Sequence, residues 1–228
     1  MPAKILTVFN QKGGCAKTMT AMQLAGSFGL RGFKVFVADM DPQNTAALWF
    51  HQATPEQPFP ADVLSMAPLK EGFLDKIGPF VTKCDLVVID CPPALGSRVP
   101  WAALVASDMA LIPVVPVMDN VWASKQAEEL VMQAREARRE RGVAGKLKAA
   151  YLLSMVRRGR VFDHCLEILR SGAGIPVLDA TVGLRNAFPE SQLFGCVVQS
   201  FGDSAAAAEM ETVVDEMAEY LGLKTRRP

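Results

Sequence analysis

The chain has no excess of charge of either sign: 24 Lys and Arg balance 24 Asp and Glu over 228 residues. Net charge therefore gives no argument for a polyanionic partner, and any nucleic-acid role must rest on a local basic patch. Histidine is scarce (His51 and His164), and the cysteines Cys15, Cys84, Cys91, Cys165 and Cys196 are odd in number and scattered. No CxxC pair occurs and neither histidine completes a zinc-like spacing, so free thiols in a reducing cytosol are expected. Long apolar runs are missing too. The stretch Ile5 to Phe9 is too short for a signal peptide and leads straight into glycines, so no leader is expected. The most apolar region, Val99 to Met118, is broken by Asp108, Pro113 and Pro116 and reads as a helix followed by a buried strand, not a membrane span. Internal repeats and low-complexity tracts are absent as well, and the expectation is a soluble, cytoplasmic protein.

What is present is a core. Half of the residues are apolar (50%) and 21% are charged, and the length suits one substantial domain over residues 1–228. Short apolar runs alternate with helical patterns. Strands are expected at Ile5–Phe9, Val35–Ala38, Leu86–Ile89, Met109–Val114 and Ala149–Leu153. Helices are expected at Lys17–Leu30, with Gly32 as a stop, and at Asn120–Arg141, Val161–Ser171 and Ser204–Leu221. The proline-rich stretch His51–Pro68 reads as a surface connection with a short edge strand. Continuous apolar strands separated by helices imply an α/β fold, a mostly parallel twisted sheet with helices on both faces. Right-handed crossovers put every strand's carboxyl end on one edge, which is where the glycine loop, Asp39, Asp41 and Asp90 must converge.

The first strand runs into Gln11-Lys12-Gly13-Gly14-Cys15-Ala16-Lys17-Thr18-Met19, the candidate nucleotide-binding segment. Its glycines let backbone N–H groups turn inward as an anion nest, and the following helix adds its positive end. In such a loop Lys17 reaches the β- and γ-phosphates and the Thr18 hydroxyl ligates Mg²⁺. Gln11 and Ala16 stand where the common form of the motif has glycine. Alanine tolerates unusual backbone angles less well than glycine, which makes Ala16 the position to inspect. Leu86-Val87-Val88-Ile89-Asp90 is an apolar strand ending in aspartate, and Mg²⁺ keeps several waters, so Asp90 fits an outer-sphere role.

In order and spacing, the K-G-G-x-x-K-T run from Lys12 to Thr18, the D-x-D-P-Q segment from Asp39 to Gln43 and the D-x-P-P segment from Asp90 to Pro93 resemble the ParA/MinD family of deviant Walker A ATPases. The likeness is greatest to short ParF-type partition proteins and covers nearly the whole chain. It implies a P-loop NTPase fold with ATP and Mg²⁺, and an ATP-dependent homodimer. In that family the lysine matching Lys12 crosses the dimer interface to the partner's ATP; Lys12 and Lys17 are then the catalytic lysines. Asp41 matches the group that positions the attacking water, Asp39 one that supports Mg²⁺ through water, and Cys91-Pro92-Pro93 a loop that responds to the γ-phosphate. Ser154 stands where relatives carry a base-facing asparagine.

The resemblance further implies non-specific, salt-dependent DNA binding, hydrolysis stimulated by a ParB/ParG-like partner, nucleoid association when ATP is bound, and no membrane. The cargo stays open among a plasmid, a chromosome locus and a protein cluster. Arg157, Arg158 and Arg160 after the fifth strand, with Arg185 at the start of another helix, are candidate DNA contacts, balanced evenly against a solvated surface. Arg135, Arg138, Arg139 and Arg141 interleave with Glu136 and Glu140 and read as a solvated, ion-paired helix face. No helix-turn-helix precedes the first strand, so operator-specific binding is not expected. Two alternatives remain: a MinD-like membrane protein, disfavoured by the short, aromatic-poor ending Leu221–Pro228, and a metabolic or electron-transfer relative with a bridging cluster, for which Cys84 and Cys91 are the only nearby pair.

Overall fold

Strands buried on both faces need helices on both sides, and the chain supplies them in turn. The computed structural model describes residues 2–93, 96–172, 174–200 and 202–224. Strands β1 (Lys4–Val8), β2 (Val35–Asp39), β3 (Asp62–Ser65), β4 (Leu86–Asp90), β5 (Met109–Val114), β6 (Lys148–Val156) and β7 (Val177–Gly183) form a sheet in the order β3-β2-β4-β1-β5-β6-β7. All neighbouring pairs are parallel. The helices are α1 (Lys17–Leu30), α2 (Thr45–His51), α3 (Phe73–Lys83), α4 (Val99–Ala106), α5 (Met118–Glu140), α6 (Arg160–Ser171), α7 (Ala187–Leu193) and α8 (Ser204–Leu221).

Alternation of side chains along each strand divides the core in two. Leu6, Val8, Val35, Val37, Leu86 and Val88 pack with α1, α2, α7 and α8 on one face. Phe36, Val87, Ile89, Ala110 and Ile112 pack with α3, α4, α5 and α6 on the other. The position of α1, which carries the phosphate loop, is fixed by close approach: a Cβ on Gly29 would lie 1.7 Å from the Pro60 carbonyl oxygen, and one on Gly26 2.4 Å from Val197. Gly32, at φ +83, ends the same helix in the left-handed conformation that glycine takes at low cost.

The parallel α/β architecture is as expected, including a short edge strand inside the proline-rich stretch. The second edge strand, β7, and the short helices α2 and α3 were not expected, whereas the helix expected near Arg185 is α7, which begins at Ala187. One expectation is corrected. Arg138 does not belong to a solvated face: it is buried, and its guanidinium donates to the carbonyls of Val105 (2.6 Å), Ser107 (2.9 Å) and Ala144 (3.3 Å), tying α5 to the end of α4 and to the next loop. Its neighbours also take separate partners. Arg135 donates to the Leu147 carbonyl at 3.0 Å, Arg139 pairs with Glu136, and Arg141 lies 5.2 Å from the Trp101 ring centre. Arg138→Met would leave those carbonyls unpaired, and a loss of roughly 3 kcal/mol is expected. A thermal melt reads this as a fall in Tm of about 6–12 °C.

Candidate nucleotide site

The loop after β1 is set by a residue that the motif does not include. Asn10, fully buried, donates from Nδ2 to the Pro113 carbonyl at 2.8 Å and accepts the Lys12 N–H on Oδ1 at 3.1 Å. It clamps the start of the loop to the end of β5. The sequence signal for it was slight: one polar residue between an apolar strand and the glycines. Gly13 and Gly14 are exposed, and Gly14 turns the chain at φ +71. Ala16 takes the left-handed conformation (φ 67, ψ 28), so alanine does what glycine does elsewhere at a cost of about 1 kcal/mol. The Thr20 N–H then bonds to the Ala16 carbonyl at 2.9 Å and α1 begins.

The two loop lysines differ in kind. Lys17 is buried, and its Nζ donates to the Lys12 carbonyl at 2.9 Å with Cys15 Sγ 3.8 Å away. The Cys15 thiol, 3.1 Å from the same carbonyl, is pushed up by burial, an effect that Lys17 opposes. Lys12 is exposed, and its ammonium has no hydrogen-bond or ion-pair partner among the described residues. One lysine is folded into the loop and the other is free to reach outward.

The acidic groups arrive from the neighbouring strands. Asp90 lies in register with Val8 of β1 on one side and with Asp39 of β2 on the other. Asp39 is fully buried, and its two oxygens accept the Asp41 N–H and the Ala47 N–H, each at 3.0 Å. Burial raises its pKa, and those backbone bonds oppose the rise. Asp41 is half-buried and accepts the Gln43 N–H at 2.9 Å. Asp90 has no hydrogen-bond partner for either buried oxygen. Burial pushes its pKa up to about 8; the nearby Thr18 hydroxyl and Lys17 oppose this, while Asp39 and Asp41 add to it.

An orphaned carboxylate beside Thr18 fits a bound cation, because an unpaired buried carboxylate is costly without one. Thr18 and Asp90 have the right chemistry to hold Mg²⁺, directly or through water. Asp39 spends both oxygens on backbone N–H groups, which links it more closely to the shape of the segment after β2. Among the described residues, no three of His, Cys, Asp and Glu gather as a metal-holding group, and Mg²⁺ sites commonly rely on one or two carboxylates with water and phosphate oxygens.

Other candidates are placed less favourably. Ser154 is fully buried with no partner for its Oγ, so its hydroxyl is sealed from any base. Arg157, Arg158 and Arg160 are exposed after β6, with Arg158 5.2 Å from the Phe162 ring centre. Arg185 is different: it lies between β7 and α7 and its guanidinium is held by both oxygens of Glu209, at 2.8 and 3.1 Å. Its charge is largely spent within the fold. Cys84 and Cys91 lie at opposite ends of β4, roughly 20 Å apart along the strand, which removes them as a pair for one cluster. No helix among the described residues is long and apolar enough to cross a membrane. The chain end from Thr225 to Pro228, part of the ending weighed for membrane binding, lies outside the described residues.

The model of the CobQ/CobB/MinD/ParA nucleotide binding domain matches residues 6–198. The chain is 28% identical over 220 residues to the maintenance of carboxysome distribution protein A of Halothiobacillus neapolitanus, covering 93% of this chain and 95% of that one. In fold it resembles an ATP complex of a Cyanothece McdA variant (TM-score 0.73, 16% identity, 99% of each chain). It also resembles the septum site-determining protein MinD complexed with Mg-ADP from Pyrococcus horikoshii OT3 (TM-score 0.70, 17% identity, 99% of this chain and 100% of that one). The family model spans the sheet from β1 past α7, including the phosphate loop and both acidic strand ends, and the chain belongs to the CobQ/CobB/MinD/ParA family of nucleotide-binding domains.

Proposed function

We propose that the protein is a ParA/MinD-type ATPase that works as an ATP-dependent dimerisation switch and positions a cargo on DNA. The observation that carries this reading is the division of labour between the loop lysines: Lys17 buried in the loop, Lys12 exposed and unpaired at its mouth. Lys17 pairs with the phosphates of its own subunit's nucleotide, and Lys12 is available to phosphates across an interface. Binding ATP then supplies the second subunit with a charge partner that ADP lacks. Asp41 orients the attacking water and takes up its proton. Thr18 and Asp90, with Asp39 behind them, hold Mg²⁺, which neutralises charge on the phosphoryl oxygens when bound.

The exposed Arg157, Arg158 and Arg160 supply DNA phosphate contacts, with Arg185 a lesser contributor because of Glu209. A ParB/ParG-like partner stimulates hydrolysis and so releases the dimer into the cytoplasm; with ATP bound the protein sits on the nucleoid. The carboxysome-distribution relative favours a protein assembly as cargo over a plasmid. Asp41→Ala tests the scheme: turnover should fall by about 100-fold or more while ATP binding persists, and sedimentation velocity should show a dimer that outlasts the wild-type one. A monomer with ATP in both proteins would contradict the reading.

A further inference from the structure

The segments that follow β2, β3 and β4 enclose a cavity of about 690 Å³ outside the phosphate loop, a volume suited to a small ligand or a few residues of peptide. Pro42, Pro92, Pro93 and Val99 give it an apolar floor, and Asp41, Lys70, Glu71 and Arg98 bring charge to its walls. These charges are not equivalent. Asp41 accepts the Gln43 N–H and faces the hydrolysis chemistry, and Glu71 is exposed. Lys70 and Arg98 come from different walls, are exposed, and their cationic groups have no hydrogen bond or ion pair with any described residue.

Lys70 also sits at φ 49, ψ −136, a backbone state that side-chain-bearing residues avoid, and such strain gathers at ligand clamps. Its wall is bonded to the end of β2 and to the segment after it: the Met66 N–H donates to the Asp39 carbonyl at 2.8 Å, and Ser65 Oγ donates to Asn44 Oδ1 at 2.5 Å. Pro92 and Pro93, which line the cavity together with Arg98, follow Asp90 closely in the chain. An occupant that bridges Lys70 and Arg98 therefore grips both segments that flank Asp41.

We propose that this cavity takes an acidic, extended segment of a partner protein, its carboxylates pairing with Lys70 and Arg98 and its apolar side chains resting on the proline floor. The consequence rests on the ATPase reading: the occupant changes hydrolysis by shifting Asp41 and Pro92 together. Mixed charge over an apolar, proline-lined surface suits a peptide better than a bare anion, because a peptide can set carboxylates against Lys70 and Arg98 while turning its backbone N–H groups toward Asp41 and Glu71.

The test is selection of a phage-displayed random dodecapeptide library on the full chain with ATP and Mg²⁺. Acidic peptides should be enriched, and the synthetic form of the best one should change ATP turnover. It should bind the Lys70→Gln/Arg98→Gln double variant about tenfold more weakly. Basic peptides, no enrichment, unchanged turnover, or equal binding to the double variant would each overturn the proposal. Both positions are exposed, and a melt should show the double variant folded. Sedimentation velocity with ATP should show unaltered dimerisation in that variant; its loss would assign this face to a second copy instead. ATP titration of the same samples separates the two failures. A wild-type protein that binds no ATP defeats the ATPase reading, yet peptide binding sensitive to Lys70 and Arg98 would still establish the site.

Discussion

Replacing Lys17 with glutamine is expected to weaken ATP binding by about 100-fold or more, the loss of a charge-assisted contact to phosphate in a water-poor site. The folded protein should hardly notice. Lys17 Nζ makes a hydrogen bond to the Lys12 carbonyl, and the shorter glutamine amide still offers N–H donors near that loop. The expected pattern is a binding isotherm that collapses while Tm moves by no more than about 2 °C, a loss below about 1 kcal/mol. Lys12→Gln should part the two functional readouts that Lys17→Gln loses together. Monomer affinity for ATP should survive, because Lys12 is exposed and unpaired, but ATP-driven dimerisation should be lost. The contrast between the two lysines separates a phosphate anchor from a group that acts across an interface.

Asp90→Asn is expected to make the metal-free protein more stable and the enzyme inactive. The carboxylate is fully buried without a hydrogen-bond partner, and burial raises its pKa to about 8. A group whose folded pKa lies above its unfolded value binds its proton more tightly in the folded state. Its stabilising effect is complete below the unfolded pKa of about 4 and is lost as pH rises through the folded value. Wild-type stability should therefore decline across that window with EDTA present, and the asparagine variant should lack this decline. By about pH 9 the variant should melt higher by roughly 4–8 °C, equivalent to about 2 kcal/mol, with the gap closing toward about pH 4. In Mg²⁺ and ATP its hydrolysis should be lost. A site that destabilises the empty fold and functions when loaded is a common trade.

Much of this molecule was legible because its chemistry is local in sequence. Strands covered on both faces read as unbroken apolar runs, so β1, β2, β4, β5 and β6 could be found within a few residues. β7 alternates buried and less buried positions, with Asp179 and Thr181 between apolar residues, because it is an edge strand. α3 contains Gly78 and Pro79, which look like breakers, and α2 is only 7 residues long. The phosphate loop is a contiguous string, and the acidic groups sit at strand ends that any parallel sheet brings to one edge.

What sequence could not show depends on distant partners. Asn10 acquires its role from Pro113, and Arg138 from carbonyls at the end of α4. Arg185 looked like a free cation until Glu209 met it from α8. Ala16 illustrates another limit: the left-handed backbone is imposed by the loop, and the helix that follows holds alanine there.

The most direct test of the nucleotide switch is the fraction of a random-sequence DNA duplex bound as salt is raised, measured with ATP and Mg²⁺, with ADP and Mg²⁺, and without nucleotide. The account predicts binding with ATP that falls steeply with salt, as phosphate contacts release counterions, and little binding in the other two states. Equal binding in all three states would contradict it.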